Sequence, residues 1–497
     1  MQWRERIDEI IGLDLRSLAL FRISIALVVL YDLADRVREL SVHYTDAGVV
    51  PAATLLEIYG SRVNASVHVL ASGSLAGEAL VFALHASAAT ALLVGYRARL
   101  ASALCWYLSL SLQFRVVTFL HMGGDELVAC ALLFGSFLPI DAYWSLDRKS
   151  GRTQAPRANR VVGVASTALI FQLCVLYWMT GWQKSGDAWT EGRAVWYLVN
   201  VKFLSSPLAH WLAEQAWAIA PLTYASLALE RWGAFLLWVP TSTAALRVIC
   251  VVSFSLLHIG MGLFLYIGPY PIMCIAVWLA LLPGRFWDEW LPSALRTLGL
   301  ADAWIPSSRE SSSASLRPIG RDWFFEVVAG VLILHIVLFS AGTMRVLGFD
   351  LSTLPGIQIS AGRALGMNNT WAMMSPNPGD YNWWFIVDGE LASGKHADPY
   401  RNQEVSWERP ENIRESIGSW RARQHLSGLI AFPKNSLRWV TNWRGFGDYL
   451  CREWNRNYHG DDRMLGGQFG WVVEPIMRFK LGQPARRSIE TFRCPPT

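Results

Sequence analysis

Residues 161–192 read "VVGVASTALIFQLCVLYWMTGWQKSGDAWTEG". The stretch 161–180 carries no charged side chain, and about twenty such residues are what a helix needs to cross the hydrocarbon core of a bilayer. In lipid the backbone must satisfy its own polar groups, so the run reads as a transmembrane helix. Lys184, Asp187 and Glu191 follow it at once. Working outward, comparable runs lie at 17–34, 76–95, 100–119, 124–141, 222–240, 246–265, 267–283 and 323–342. The short alternating segments of a transmembrane β-barrel do not appear.

The fold class is therefore a polytopic α-helical membrane protein with about nine transmembrane helices. Composition agrees: 53% of the 497 residues are hydrophobic and 17% charged, against about 25% charged in soluble domains. A net charge of +5 is small for this length and gives no reason to expect a nucleic-acid partner. The bilayer is the partner that composition demands. Arg97, Arg99, the loop 147–160 and the segment 284–321 are basic, and cytoplasmic loops collect Lys and Arg. That places the N-terminus in the cytoplasm and, with an odd number of spans, the C-terminal tail outside. The charged N-terminal segment does not suit a signal peptide, so the first run reads as retained.

Four units follow: residues 1–283 with eight spans, a Ser-rich cytoplasmic linker 284–321, a ninth helix at 322–342, and an extracytoplasmic α+β domain at 343–497. Within 307–318 the linker has a flexible composition. In the tail, 382–395 reads as strand, Asp-Gly turn and strand. Residues 436–458 read as an amphipathic helix interrupted near Gly445 and Gly447, and 471–481 as a closing strand. Five cysteines fall in apolar runs. Cys451 and Cys494 lie in the tail, where a disulfide and two free thiols both remain open.

On this topology Lys184, Asp125, Glu126 and His258 approach one level at the outer side of the membrane. Intramembrane ionisable groups are costly and usually pair or serve function. A partly buried lysine can act as a base, provided that it keeps away from Asp187 and Glu191. Equally, Lys184 with Trp178, Trp182 and Trp189 makes an interfacial anchor. Asp125–Glu126 suits a helix N-terminus, and His258 suits a packing role. Arg22 reads as a snorkelling side chain, and His85 and His335 as satisfied core histidines. Glu230 and Arg231 neutralise one another or neighbouring helices. No HExxH, CxxC or phosphate-binding glycine motif is present, so no metal site is expected.

Several stretches resemble the vitamin K-dependent γ-carboxylase superfamily, also called the HTTM (horizontally transferred transmembrane) domain. They are "LALFRISIALVVLYDLADR" (18–36), "YTDAGVVP" (44–51), "FLPIDAYWSLD" (137–147), "YWMTGWQKSGDAWTEGRAVWYL" (177–198), "LSSPLAHWL" (204–212) and "LLHIGMGLFLYIG" (256–268). In the tail, "TWAMMSPNP" (370–378) and "YLCREWN" (449–455) look like bacterial members. The resemblance implies an outward-facing active site in a bacterial cytoplasmic membrane. In the carboxylases a lysine deprotonates vitamin K hydroquinone. Oxygenation then gives a strong base that removes a glutamate γ-proton, and carbon dioxide adds to the carbanion.

Carried over by position, Lys184 is the base and His258 orients a reacting oxygen. Tyr177 and Trp182 are the positions expected to contact a reduced quinone, and a peptide or protein substrate is expected at the outer face. The carboxylases' Asn-His pair is here Asp125–Glu126, and a carboxylate repels a quinolate anion. These residues are therefore expected in proton handling, and γ-glutamyl carboxylation itself is in doubt. The alternatives are a non-catalytic factor for maturation of, or immunity to, an exported peptide, and a quinone- or lipid-binding scaffold.

Overall fold

The structure, a computed structural model, describes residues 2–60, 65–118, 123–154, 156–300, 315–316, 322–345, 348, 350–367, 370–431, 433–477 and 480–495. Helix α1 (Leu15–Val37) starts where the Asp14 carboxylate accepts the Arg16 backbone N–H, an N-cap. Helix α2 (Leu75–Val94) begins at Ser74 and ends at Gly95, whose φ of 69° is left-handed. A Cβ at Gly95 would lie 2.4 Å from Ser145 Cβ, so the glycine also allows close packing on that turn. The bundle continues with α3 (Ala98–Arg115), α4 (Gly123–Phe137), α5 (Val164–Gln183), α6 (Ala216–Trp232), α7 (Thr243–Phe264), α8 (Tyr270–Trp278) and α9 (Asp322–Met344).

Among the described residues, five helices, α1, α2, α5, α7 and α9, are long and apolar enough to cross a membrane. A bent pair, Tyr270–Leu281 with Phe286–Thr297 at 91°, makes a sixth candidate. Hydropathy in the sequence counts nine. The excess comes from 100–119, 124–141 and 222–240, whose helices α3, α4 and α6 have 18, 15 and 17 residues. Helix α4 is buried along nearly its whole length. An apolar window alone does not distinguish a lipid-facing helix from one enclosed by protein.

The outward faces carry the membrane signature. Ile249, Val252, Leu256, Ile259 and Leu263 on α7 are exposed at spacings of three and four. Phe324, Val327, Val331 and Leu334 repeat the pattern on α9. Such stripes suit lipid and would be a liability in water. The chain is an integral membrane protein.

Part of the expected linker is ordered. Leu291–Thr297 is helical, and Ser315–Leu316 pairs in parallel with Arg160–Val161, which pairs with Leu13–Asp14. The rest of the Ser-rich stretch lies outside the described residues.

The tail holds helices α10 (Gly356–Leu365), α11 (Trp420–Ala431) and α12 (Leu437–Asn457). Its sheet is built on β1 (Tyr381–Leu391), β2 (Met464–Met477) and β3 (Ala485–Arg493), with β2 antiparallel to both neighbours. Phe385, Trp443, Phe446 and Phe469 form its aromatic core. The expected Asp-Gly turn is not one: β1 runs through Asp388 and Gly389, and the chain turns at Gly394 with φ 79°. Nor is α12 interrupted. A Cβ on Gly445 would meet the Val49 carbonyl at 3.1 Å, and one on Gly447 would meet Phe492 at 2.8 Å. Both glycines serve close approach.

Cys451 and Cys494 form a disulfide, the alternative that the sequence left open. It closes a loop with a sequence separation of 43, so reduction is expected to destabilise the tail by about 4 kcal/mol on the chain-entropy model. Thermal unfolding with and without reductant measures this. An unchanged tail transition would show that the link contributes nothing.

The tail docks on the end of the bundle where α5 terminates. Arg423 donates to the carbonyls of Phe203 and Tyr266 at 2.8 and 2.7 Å.

Candidate functional site

Lys184 is the first residue beyond α5. Gly181 lets α6 approach, since a Cβ there would lie 2.8 Å from the Arg231 backbone nitrogen. Arg231 then donates to the carbonyls of Gly181 and Lys184 at 2.8 and 2.7 Å, capping the open end of α5. Its neighbour Glu230 accepts a hydrogen bond from Lys184 Nζ, and both side chains are 3% exposed. The Trp189 ring centroid lies 4.5 Å from Nζ. Glu230 thus neutralises Lys184 and not Arg231. Asp187 and Glu191, the carboxylates nearest in sequence, turn to Arg193 at 3.5 and 2.6 Å.

A tail segment, 370–377, covers this turn. Thr180 Oγ1 donates to the Trp371 carbonyl at 3.0 Å, and Trp189 Nε1 donates to that of Met374 at 2.9 Å. The Gly186 N–H donates to the Pro376 carbonyl at 3.0 Å. Asn377 accepts from the Ala188 N–H and donates to Asp187, each at 3.0 Å. A Cβ at Gly186 would sit 2.1 Å from Asn377 Oδ1. Gly186→Val is therefore expected to displace segment 370–377 while the helices persist. Faster amide exchange confined to this segment and the Trp189 turn measures it, and unchanged exchange would contradict the packing described.

His258 lies inside the bundle with Tyr177. Its Nε2 is 2.7 Å from Tyr177 Oη, which accepts a hydrogen bond from Trp278 Nε1 at 2.8 Å. With the Tyr177 hydroxyl assigned as donor to Nε2, the imidazole proton sits on Nδ1. Nδ1 is buried and has no hydrogen-bond partner among the described residues. Phe254 stacks on Trp278 at 4.4 Å, and Tyr270 meets His258 edge-on at 5.5 Å. Tyr270 also packs on Gly124, where a Cβ would come within 3.1 Å of its ring.

Asp125 belongs to an ion cluster. It accepts from Arg36 at 2.9 Å; Arg36 also donates to Asp32 at 2.6 Å and to Tyr44 Oη at 3.1 Å. Asp32 takes a further ion pair from Arg421 on α11 of the tail. Glu126, in the same turn as Asp125, is half-buried. Trp182 is 39% exposed and packs on Trp232 at 5.1 Å, with Arg231 over its ring.

Four of the expected residues therefore fall into three hydrogen-bonded groups, Lys184–Glu230, His258–Tyr177 and Asp125–Arg36, of which the first two are close enough for Lys184 to act electrostatically on His258 and Glu230 on Tyr177. No hydrogen bond joins Lys184, His258 and Asp125 to one another among the described residues. Arg22 does not snorkel. It is fully buried and donates to the carbonyls of Ile140, Tyr143 and Trp144 at 3.0, 3.2 and 2.6 Å. His335 is satisfied by the Met367 carbonyl at 3.1 Å. The buried Asp32–Arg36 ion pair, which holds Asp125, is not among the expected residues, although its i,i+4 spacing in an apolar run is a readable signal.

Among family models, that of the HTTM domain matches residues 12–283. No curated protein and no solved structure matches the chain.

Proposed function

The chain belongs to the HTTM domain family, and from that premise we propose a membrane enzyme related to the vitamin K-dependent carboxylases, with Lys184 and Glu230 as its proton-handling pair. The observation that carries this reading is the buried contact of Lys184 Nζ with Glu230, in the segment whose resemblance to the carboxylases assigns Lys184 as the base. A buried lysine beside a carboxylate can hold its proton on either partner. With the proton on Glu230, Nζ is a free amine able to take one from a substrate hydroxyl. Trp189 holds the ammonium form that results.

A reduced quinone fits the neighbouring residues in one respect: the buried Nδ1–H of His258 lacks a partner and lies beside aromatic walls. His258, fixed by Tyr177, would hold a quinol oxygen, and the group when bound would supply an acidic hydroxyl. Tyr177 then acts by orienting His258. The exposed Trp182 suits contact with the lipophilic part of such a molecule, and Asp125 and Glu126 suit proton exchange with the surface. The tail disulfide supports an oxidising, extracytoplasmic location for that end of the bundle. The basic residues Arg97, Arg99 and Arg148 support a cytoplasmic location for the other, in a bacterial inner membrane. A peptide or protein substrate would meet the site beside segment 370–377.

A non-catalytic role as a peptide-maturation or immunity factor is the second reading. It is favoured by the full satisfaction of Lys184 by Glu230 and Trp189, which a purely structural ion pair also displays. The test is oxidation of a short-chain naphthohydroquinone by dissolved dioxygen, the electron acceptor, with the protein in air-saturated lipid vesicles, followed by loss of hydroquinone absorbance above the protein-free rate. Lys184→Ala is expected to lose at least about 100-fold, the usual scale for a lost general base. Turnover unchanged in a folded Lys184→Ala variant, or absent from the wild type, would contradict the proposal.

A further inference from the structure

A second polar site lies in the bundle, and Lys184 does not line it. A partly open cavity between α1, α2, α3, α4 and α8 is lined by Asp32, Arg36, His85, Ser109, Gln113 and Asp125, with apolar side chains making up the rest. His85, on α2, is 1% exposed. Its Nε2 lies 3.4 Å from Ser109 Oγ, and its Nδ1 has no partner among the described residues. An imidazole expected to be satisfied within the core is thus satisfied on one side only.

The size and chemistry of the space select its occupant. Its volume is about 20 Å³, and a water molecule needs roughly 10–15 Å³ with two to four polar partners. Arg36 is committed to Asp32, Tyr44 and Asp125. Both Asp32 oxygens are taken, by Arg36 and Arg421. Among the described residues, His85 Nδ1 is buried without a partner, and the bonds of Gln113 and Asp125 run through Nε2 and Oδ1, leaving the Gln113 side-chain oxygen and the second Asp125 oxygen to face the space. Two carboxylates disfavour an anion, and the guanidinium disfavours a cation. Empty cavities are apolar, and this one is not.

We propose that this cavity is an internal hydration site, in which one water molecule hydrogen-bonds His85 Nδ1 and ties it to Gln113 and Asp125. The water completes a buried polar network whose far end, through Asp32, is the tail's Arg421. Asp125 is 14% exposed at its side chain, so the network reaches the surface without passing through the Lys184–Glu230 pair. The inference does not rest on any catalytic role for Lys184.

The test uses full-length protein in lipid with ¹⁵N-labelled histidine, measuring magnetisation transfer from water to each imidazole. The His85 signal is assigned by its loss in His85→Gln. Transfer to His85 is expected to exceed that to His335, which is bonded to a carbonyl, by at least fivefold. Val128→Phe, which fills the cavity and leaves His85 in place, is expected to remove the excess. A density map of the wild type showing a water within about 3.2 Å of Nδ1 gives the same answer without a variant. Transfer no greater than that of His335, or an acyl chain in the cavity, would overturn the proposal.

Discussion

Lys184→Met alone, or Glu230→Leu alone, is expected to lower the stability of the protein by about 3–5 kcal/mol, because each leaves a buried charge without its partner. The paired variant Lys184→Met with Glu230→Leu is expected to recover most of that loss. Both side chains are 3% exposed, and apolar replacements of similar volume are often neutral or stabilising at such sites. Unfolding by denaturant, followed through tryptophan fluorescence, measures all three. Near-additive losses in the paired variant would mean that the contact between Nζ and the carboxylate is not what couples them. The experiment also separates structure from chemistry. A purely structural pair allows the paired variant to keep its function, and a proton-handling pair does not.

The second large effect concerns how the tail is held. Arg421→Ala is expected to release α11 from the bundle, at a cost of about 3–5 kcal/mol for a broken buried ion pair. Arg421 is 3% exposed and meets Asp32 and, more loosely, Asp35 at 3.8 Å; among the described residues Asp32 is otherwise ion-paired with Arg36. Gly268, with φ 64°, packs beside the start of α11, where a Cβ would lie 2.4 Å from the Trp420 ring. Limited proteolysis between residues 411 and 435 is the readout, with cleavage expected in the variant and not in the wild type. Equal resistance in both would show that docking relies on other contacts, such as those of Arg423.

Much of the architecture was legible because lipid imposes strong rules on sequence. The runs that became α1, α2, α5, α7 and α9 are apolar over a bilayer's thickness, and their ends fell within a few residues of expectation. The count of nine exceeds the five or six candidate spans where helices are short or enclosed: α4 is apolar because protein surrounds it, and α6, with Pro221 inside it, has only 17 residues. The tail's strands were legible, but Gly389, Gly445 and Gly447 were misread as breaks. Glycine signals close approach as well as turns, and only the neighbours Met464, Val49 and Phe492 decide which. For the candidate site, topology and resemblance single out Lys184 and His258, but their partners do not follow from either. Glu230 is 46 residues from Lys184 and Asp32 is 389 from Arg421. Such contacts arise from helix packing, which no local pattern encodes.

On the function proposed, Lys184 and Glu230 move a proton and do more than hold two helices together. Quinol oxidation by the folded Lys184→Met/Glu230→Leu variant tests it most directly. Turnover at least about 100-fold below wild type, with stability retained, is the expected result. Wild-type turnover from that variant would contradict it.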